Sequence, residues 1–130
     1  MNPYRVVFLA DDDIDDQKIF VDAIKEVDKD IQCFCSRDGE EALKALSDSL
    51  PKPDLIFLDL NMPGLNGKQT LAEIKKREDL RDIPVIMYST FFGQRDIQEI
   101  KALGAVYFLA KPTEFNKLVN SLNFVLTQEW

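Results

Sequence analysis

In this sequence, acidic, basic and hydroxyl side chains directly follow several short apolar runs. Side chains of these types could act together in one chemical reaction. Asp11 and Asp12 follow the first run, Asp59 the third, Ser89 the fourth and Lys111 the fifth. Clustered carboxylates repel one another unless a cation lies among them, and oxygen ligands favour a hard ion such as Mg²⁺. When a metal and an ammonium neutralise phosphoryl charge, a carboxylate can attack phosphorus. The pattern therefore predicts magnesium-dependent phosphoryl transfer to an aspartate.

Each of these side chains receives a role in that chemistry. Asp59 is the better candidate for the nucleophile, because it stands alone after a fully apolar run whereas Asp11 and Asp12 form a pair. Asp12 and Asp59 would bind the metal directly, and Asp11 would act through water. Lys111 and Ser89 would donate hydrogen bonds to the phosphoryl oxygens.

Short strands that alternate with amphipathic helices must position these side chains. Five apolar runs of strand length lie at residues 6–10, 31–35, 55–58, 85–88 and 106–109. Between them, apolar residues recur at helical spacing, most clearly in residues 20–27 and 115–126. This alternation predicts an α/β, doubly wound fold, a parallel sheet with helices on both faces. Ligands of such sheets bind at the carboxyl ends of the strands, where the polar residues are expected to meet.

Length and composition narrow the possible functions. A chain of 130 residues is the size of a single domain, so we expect one domain over residues 1–130 and no effector domain. It contains no histidine, which excludes Ser-His-Asp and Cys-His catalysis, histidine-ligated metals and phosphohistidine carriers. A net charge of −7 disfavours direct binding to nucleic acid. There is no signal-peptide pattern or membrane-length apolar run, so a cytoplasmic location without membrane insertion is expected.

Other conspicuous residues have structural interpretations. Asp13, Asp15 and Asp16 precede or open a helix, where capping and solvation explain acidic side chains better than metal binding. Three aromatic residues, Phe91, Phe92 and Tyr107, lie beside apolar strands; they could face a partner, but such residues are more often in the core or partly buried, and this is the expectation.

Four segments together resemble the signature segments of response-regulator receiver domains. They are LADDD at residues 9–13, LDLNMPG at 58–64 with Gly67 beyond it, YST at 88–90 and AKP at 110–112. The interval of 30 residues from Asp59 to Ser89 and that of 22 from Ser89 to Lys111 match this family as well. The resemblance spans nearly the whole chain, and the four segments in combination are far more specific than any one of them.

The resemblance implies a fold and residue roles. The fold would be a flavodoxin-like sheet of five parallel strands in the order 2-1-3-4-5, with five helices. Asp59 would be the phosphoacceptor, with Asp11 and Asp12 as the acidic pair and the backbone carbonyl of Asn61 as a further ligand of Mg²⁺. Ser89 and Phe108 match the hydroxyl and aromatic positions of the family's conformational switch. The Lys111–Pro112 bond is a candidate for the cis isomer.

The same resemblance implies partners. A stand-alone, chemotaxis-regulator-like receiver takes its phosphoryl group from a histidine kinase or a phosphotransfer protein. Without an effector domain, it would signal through a noncovalent output partner or by onward phosphotransfer. The expected output face comprises residues 95–126.

Three alternatives remain beside this interpretation. A phosphohydrolase that forms an aspartyl phosphate would need a general acid or base two residues after its nucleophile, where this chain has Asn61 after Asp59. A degenerate receiver that only binds partners would require the loss of an active residue, and none is lost. An EF-hand loop starting at Asp11 would require glycine where Asp16 stands.

Overall fold

The computed structural model describes residues 3–48 and 51–130 and consists of five strands that alternate with five helices. The elements in chain order are β1 Val6–Ala10, α1 Ile14–Val27, β2 Gln32–Ser36, α2 Gly39–Ser47, β3 Leu55–Leu58, α3 Gly67–Lys76, β4 Val85–Ser89, α4 Gln94–Ala102, β5 Tyr107–Ala110 and α5 Phe115–Leu126. None of these helices has both the length and the apolar character needed to cross a bilayer.

The five strands form one parallel sheet in the order β2-β1-β3-β4-β5. The predicted α/β doubly wound fold and the order 2-1-3-4-5 are therefore confirmed. The central strand β3 is completely buried, which explains why its sequence is an unbroken apolar run rather than an alternating one.

Alternate residues of the strands supply two apolar cores, one on each face of the sheet. On one face, side chains such as Phe8, Ile56 and Met87 pack with α2, α3 and α4. On the other face, Leu9, Phe57 and their neighbours pack with α1 and α5. The sheet edge that carries the carboxyl ends of the strands is thus held between two helical layers.

Aspartate side chains cap the N-termini of the helices that follow β1 and β2. Asp13 accepts hydrogen bonds from the backbone of Asp15 and Asp16 and caps α1, and Asp38 caps α2. Capping by Asp13 was predicted from the sequence and is confirmed. Gly104 follows the end of α4 with a φ of 104°, a left-handed conformation that glycine adopts without strain.

Three strands differ slightly from the apolar runs that predicted them. β2, β4 and β5 end at Ser36, Ser89 and Ala110, each one residue beyond its run, and β2 and β5 also begin one residue later. Ser36 pairs with Ala10, and Ser89 pairs with Ala110. Backbone pairing does not require an apolar side chain, so hydropathy alone places the strand ends too early.

The Lys111–Pro112 peptide bond is trans, since no peptide bond in the described ranges is cis. The cis isomer implied by the resemblance is therefore wrong for this structure. Proline lowers the cost of the cis isomer but leaves trans the favoured form.

Helix α4 contributes one buried apolar residue to the core and also makes ionic contacts with α3. Among its nine residues, Ile100 is the buried one. The Lys68 ammonium on α3 lies 2.6 Å from Asp96 Oδ1 and 2.8 Å from Glu99 Oε2, and both of these acids belong to α4. These contacts join the first turn of α3 to α4.

Gly67 generates a prediction about stability. A Cβ atom at this position would lie 2.2 Å from the carbonyl oxygen of Asp59 and 2.8 Å from Leu60 Cα. We expect Gly67→Ala to lower the free energy of unfolding by about 1–3 kcal/mol, because backbone atoms must move to admit the methyl group. Urea titration measures the change. Gly93→Ala is the matched control, because a Cβ there approaches nothing closer than 3.4 Å; equal losses in both variants would contradict the explanation.

Candidate functional site

Backbone hydrogen bonds bring the ends of the strands into alignment at one edge of the sheet. Asp59 N donates to Ala10 O at 2.9 Å, which places the residue after β3 beside the residue after β1. Lys111 N donates to Ser89 O at 2.7 Å, which aligns the ends of β5 and β4. The structure therefore brings together the side chains that the sequence placed after separate strands.

The Lys111 ammonium lies at the centre of this edge and contacts three carboxylates. Its Nζ is 2.7 Å from Asp11 Oδ2, 2.9 Å from Asp16 Oδ2 and 3.0 Å from Asp59 Oδ2. The contacts with Asp16 and Asp59 are hydrogen bonds. The Lys111 side chain is only 9% exposed, and its ammonium also lies 5.2 Å from the centre of the Tyr88 ring. Lys111 therefore compensates negative charge inside a largely enclosed site.

Burial and neighbouring charges shift the pKa values of Asp11 and Lys111. Burial raises the pKa of Asp11 to about 6, although the Lys111 ammonium and the backbone N–H of Asp13 act in the opposite direction. Burial alone would lower the pKa of Lys111, but its close contacts with the Asp11, Asp16 and Asp59 carboxylates outweigh that effect and raise the pKa above its usual value. Lys111 therefore remains a cation at neutral pH.

The loop after β3 presents the Asp59 carboxylate in a defined orientation. Its Oδ1 accepts a hydrogen bond of 3.1 Å from the backbone N–H of Asn61, and its Oδ2 accepts one from Lys111. Oxygen atoms of Asp11, Asp12 and Asp59 lie within 4.8 Å of one another. Asp12 is exposed, whereas Asp11 and Asp59 are buried. Three carboxylates at this spacing suit a hard divalent cation that solvent can reach from the side of Asp12.

Two buried polar atoms at this edge have no hydrogen-bond partner within the described residues. They are Asp11 Oδ2, whose contact with Lys111 is an ion pair, and the hydroxyl oxygen of Ser89. The Ser89 side chain is 1% exposed. Buried hydroxyl groups are nearly always paired, so an unpaired one indicates a place where a further acceptor or donor belongs.

Phe108, the predicted switch aromatic, lies on β5. Its partly buried ring is 5.3 Å from the ring of Phe92, centre to centre. It borders a pocket of about 270 Å³ together with Ile100 and Ala105. The ring therefore has neighbouring space into which it could move.

An open cleft of about 630 Å³ lies beside Asp12 and Asn61, and Phe91 forms part of its wall. The Phe91 side chain is 70% exposed, so its expected assignment to the core is wrong. Phe92, the next residue, is partly buried against the core and fits the expectation. Phe91 lies in the loop after β4. Side chains in a loop need not alternate between the two faces of the sheet, so the pattern of β4 does not predict the direction of Phe91.

Asp16 was missed as a member of this site. The sequence interpretation placed it among solvated residues at the start of α1, whereas the structure shows it bonded to Lys111, 95 positions away. The sequence signal that could have identified Asp16 is its position in the first turn of α1. Asp13 caps this helix directly after β1, and the residue three positions later lies on the side of the helix that faces the carboxyl edge of the sheet.

Comparison with known proteins agrees with this geometry. Residues 7–123 match the family described as the response regulator receiver domain. Response regulator Rcp1 of Synechocystis sp. is 32% identical over 122 residues, an alignment that covers 90% of this chain and 83% of that protein.

Solved structures also match across nearly the whole chain. The phosphorylated cyanobacterial phytochrome response regulator RcpA superposes with a TM-score of 0.84 at 29% identity, covering 94% of this chain and 91% of that one. The Mn²⁺-bound form of Rcp1 gives a TM-score of 0.82 at 29% identity, with coverage of 93% and 91%. With its strand order, its carboxylate edge and these matches, the chain belongs to the response regulator receiver domain family.

Proposed function

We propose that this chain is a signalling switch that accepts a phosphoryl group on Asp59 with the help of Mg²⁺. One observation carries the proposal. The Asp59 carboxylate lies 3.0 Å from a buried ammonium and within 4.8 Å of the oxygen atoms of Asp11 and Asp12, so one face meets a fixed cation and the other a candidate cation site. Such surroundings favour the charge that develops on a transferring phosphoryl group.

The transfer makes one bond and breaks one bond. A carboxylate oxygen of Asp59 attacks phosphorus, and the bond from phosphorus to the donor atom breaks with its electron pair leaving on the donor. Lys111 and the Ser89 hydroxyl would donate hydrogen bonds to the phosphoryl oxygens. Asp11, Asp12, Asp59 and the backbone carbonyl of Asn61 would hold Mg²⁺, which supplies positive charge to the phosphoryl oxygens when bound.

The donor belongs to another protein. Since this chain contains no histidine, a phosphohistidine must come from a histidine kinase or a phosphotransfer protein. We propose that residues 1–130 act as one receiver domain in the cytoplasm and pass the signal to a noncovalent output partner or to a further phosphotransfer protein. The proposed output face consists of α4, β5 and α5, and direct binding to nucleic acid is not part of the proposal.

A phosphohydrolase is the less favoured function. Rapid hydrolysis requires a base that orients water in line with the Asp59 phosphorus. By the resemblance to receiver domains, Asn61 and Phe91 flank the approach of that water; both line the open cleft, and neither side chain can accept a proton at neutral pH. We therefore expect slow dephosphorylation rather than enzymatic turnover.

The phosphoacceptor can be tested by mass. With Mg²⁺ and acetyl phosphate, the wild-type chain should gain the mass of one phosphoryl group and Asp59→Asn should gain none, since the amide is not a nucleophile. Intact-protein mass spectrometry measures both. Asp54→Asn, which changes an aspartate before β3, is the control and should be labelled like the wild type. Full labelling of Asp59→Asn would show that the phosphoacceptor is another residue.

Metal binding should stabilise the fold. At a Mg²⁺ concentration about tenfold above the dissociation constant, the free energy of unfolding should rise by about 1.4 kcal/mol, because the unfolded chain lacks the site. Asp12→Ala should lose this gain while melting no lower than the wild type without metal, since it relieves carboxylate repulsion. Thermal melts with and without Mg²⁺ test this. Equal responses of the two proteins would place the metal elsewhere.

The same melts should depend on pH in a defined direction. The pKa of Asp11 is raised to about 6 in the fold, so protonation of Asp11 stabilises the metal-free fold at low pH and this contribution is lost as the pH rises through about 6. Mg²⁺ favours the charged carboxylate, so the stabilisation by Mg²⁺ should grow as the pH rises through this range. A metal effect that is constant from pH 5 to pH 7 would contradict this account.

The switch is proposed to couple Ser89 to Phe108. The unpaired Ser89 hydroxyl would turn to a phosphoryl oxygen, and the space it leaves would allow the Phe108 ring to move. Amide NMR spectra should then change on phosphorylation in residues 89–95 and 105–111. Ser89→Ala should remain phosphorylatable and lose the change in 105–111, whereas Thr90→Ala, an exposed neighbouring hydroxyl, should keep it. Unchanged wild-type spectra in both segments would refute the coupling.

A further inference from the structure

Asp16 contacts Lys111 but has no part in the proposed transfer. Its Oδ2 accepts a hydrogen bond of 2.9 Å from Lys111 Nζ. Asp16 lies on the first turn of α1, and Lys111 follows β5. The contact therefore connects two elements that flank the phosphorylation site from one side.

The ammonium has limited capacity for further partners. Lys111 Nζ carries three N–H donors. It hydrogen-bonds Asp16 and Asp59 and forms an ion pair with Asp11, all within 3.0 Å. A phosphoryl oxygen that approaches Lys111 must therefore take the place of one of these carboxylates.

Burial decides which carboxylate gives way. The Asp11 side chain is 0% exposed and its Oδ2 has no hydrogen-bond partner among the described residues, so without Lys111 it would be an uncompensated interior charge. The Asp16 side chain is 33% exposed and can turn to water. Ion pairs that water can reach are weak, so Asp16 is the contact most readily lost.

We infer that Asp16 competes with the phosphoryl group for Lys111 and thereby disfavours the phosphorylated state. This rests on the proposed phosphorylation of Asp59. In the resting chain, Asp16 is a positioning residue that holds the ammonium toward α1. On phosphorylation the ammonium moves to the phosphoryl oxygen and Asp16 turns to solvent. Asp16 thus sets how strongly the site retains a phosphoryl group.

The test is the affinity of the chain for beryllofluoride, a phosphoryl analogue, at saturating Mg²⁺. Asp16→Asn should bind it about fivefold more tightly than the wild type, as expected for the loss of one partly exposed competing ion pair. Asp16→Ala, which also removes the acceptor, should bind at least as tightly. Isothermal titration calorimetry measures the affinities, and thermal melts without ligand report the stability of each variant.

The controls separate competition from other effects. Asp15→Asn removes an equal charge from the neighbouring exposed position and should change the affinity less than twofold. If it tightens binding as much as Asp16→Asn does, general charge repulsion is the cause and the inference is overturned. Unchanged or weaker binding by a less stable Asp16→Asn would show a purely structural role and also overturn it. Asp59→Asn should not bind beryllofluoride. If the wild type does not bind it either, the proposed phosphorylation of Asp59 is itself contradicted.

Discussion

Burying the Asp11 carboxylate is unfavourable unless a cation lies beside it, and in this chain Lys111 supplies that cation at 2.7 Å. The same ammonium contacts Asp59, so one positive charge compensates acids that follow two different strands. Because the pair Asp11 and Lys111 is enclosed, it is screened little by salt. The site is consequently a coupled set of charges, in which a change at Asp59 alters the balance at Asp11 and Asp16.

This set of charges depends on the alignment of strand ends. The side chains of residues 11, 59 and 111 meet because each backbone N–H at these positions donates to the end of a neighbouring strand. Two apolar cores hold the sheet that provides this alignment, and Gly67 allows the start of α3 to approach the backbone of Asp59 and Leu60. Apolar packing thus supplies the precision that the electrostatics of the site require.

The fold was predictable because its signals are local. Largely apolar runs of four or five residues and helical periodicity identify strands and helices, and the crossover rule then permits few topologies. The positions of Asp11, Asp59 and Lys111 after strands were predictable for the same reason. Strand ends at Ser36 and Ser89 were not, since they depend on backbone pairing with Ala10 and Ala110.

The errors at the site concern side-chain direction. A residue such as Phe91 in a loop, or Asp16 at the start of a helix, has neighbours that only the tertiary structure determines. Phe91 points toward the cleft and is exposed, whereas Asp16 turns toward Lys111. Composition and spacing identify which groups are available for chemistry, and they do not identify which of several nearby acids contacts the one lysine.

The ionic attachment of α4 has a consequence for the local dynamics of the molecule. Ile100 is the buried residue of this helix. Lys68 on α3 forms ion pairs with Asp96 and Glu99 of α4, and both of these acids are at least partly in contact with solvent. Local opening of such a helix needs far less free energy than opening of the apolar core, and ionic strength would tune it. Amide exchange in α4 should therefore follow the salt concentration while the central strands remain insensitive to it. Ionic strength would thus loosen the helix that lies beside the proposed switch.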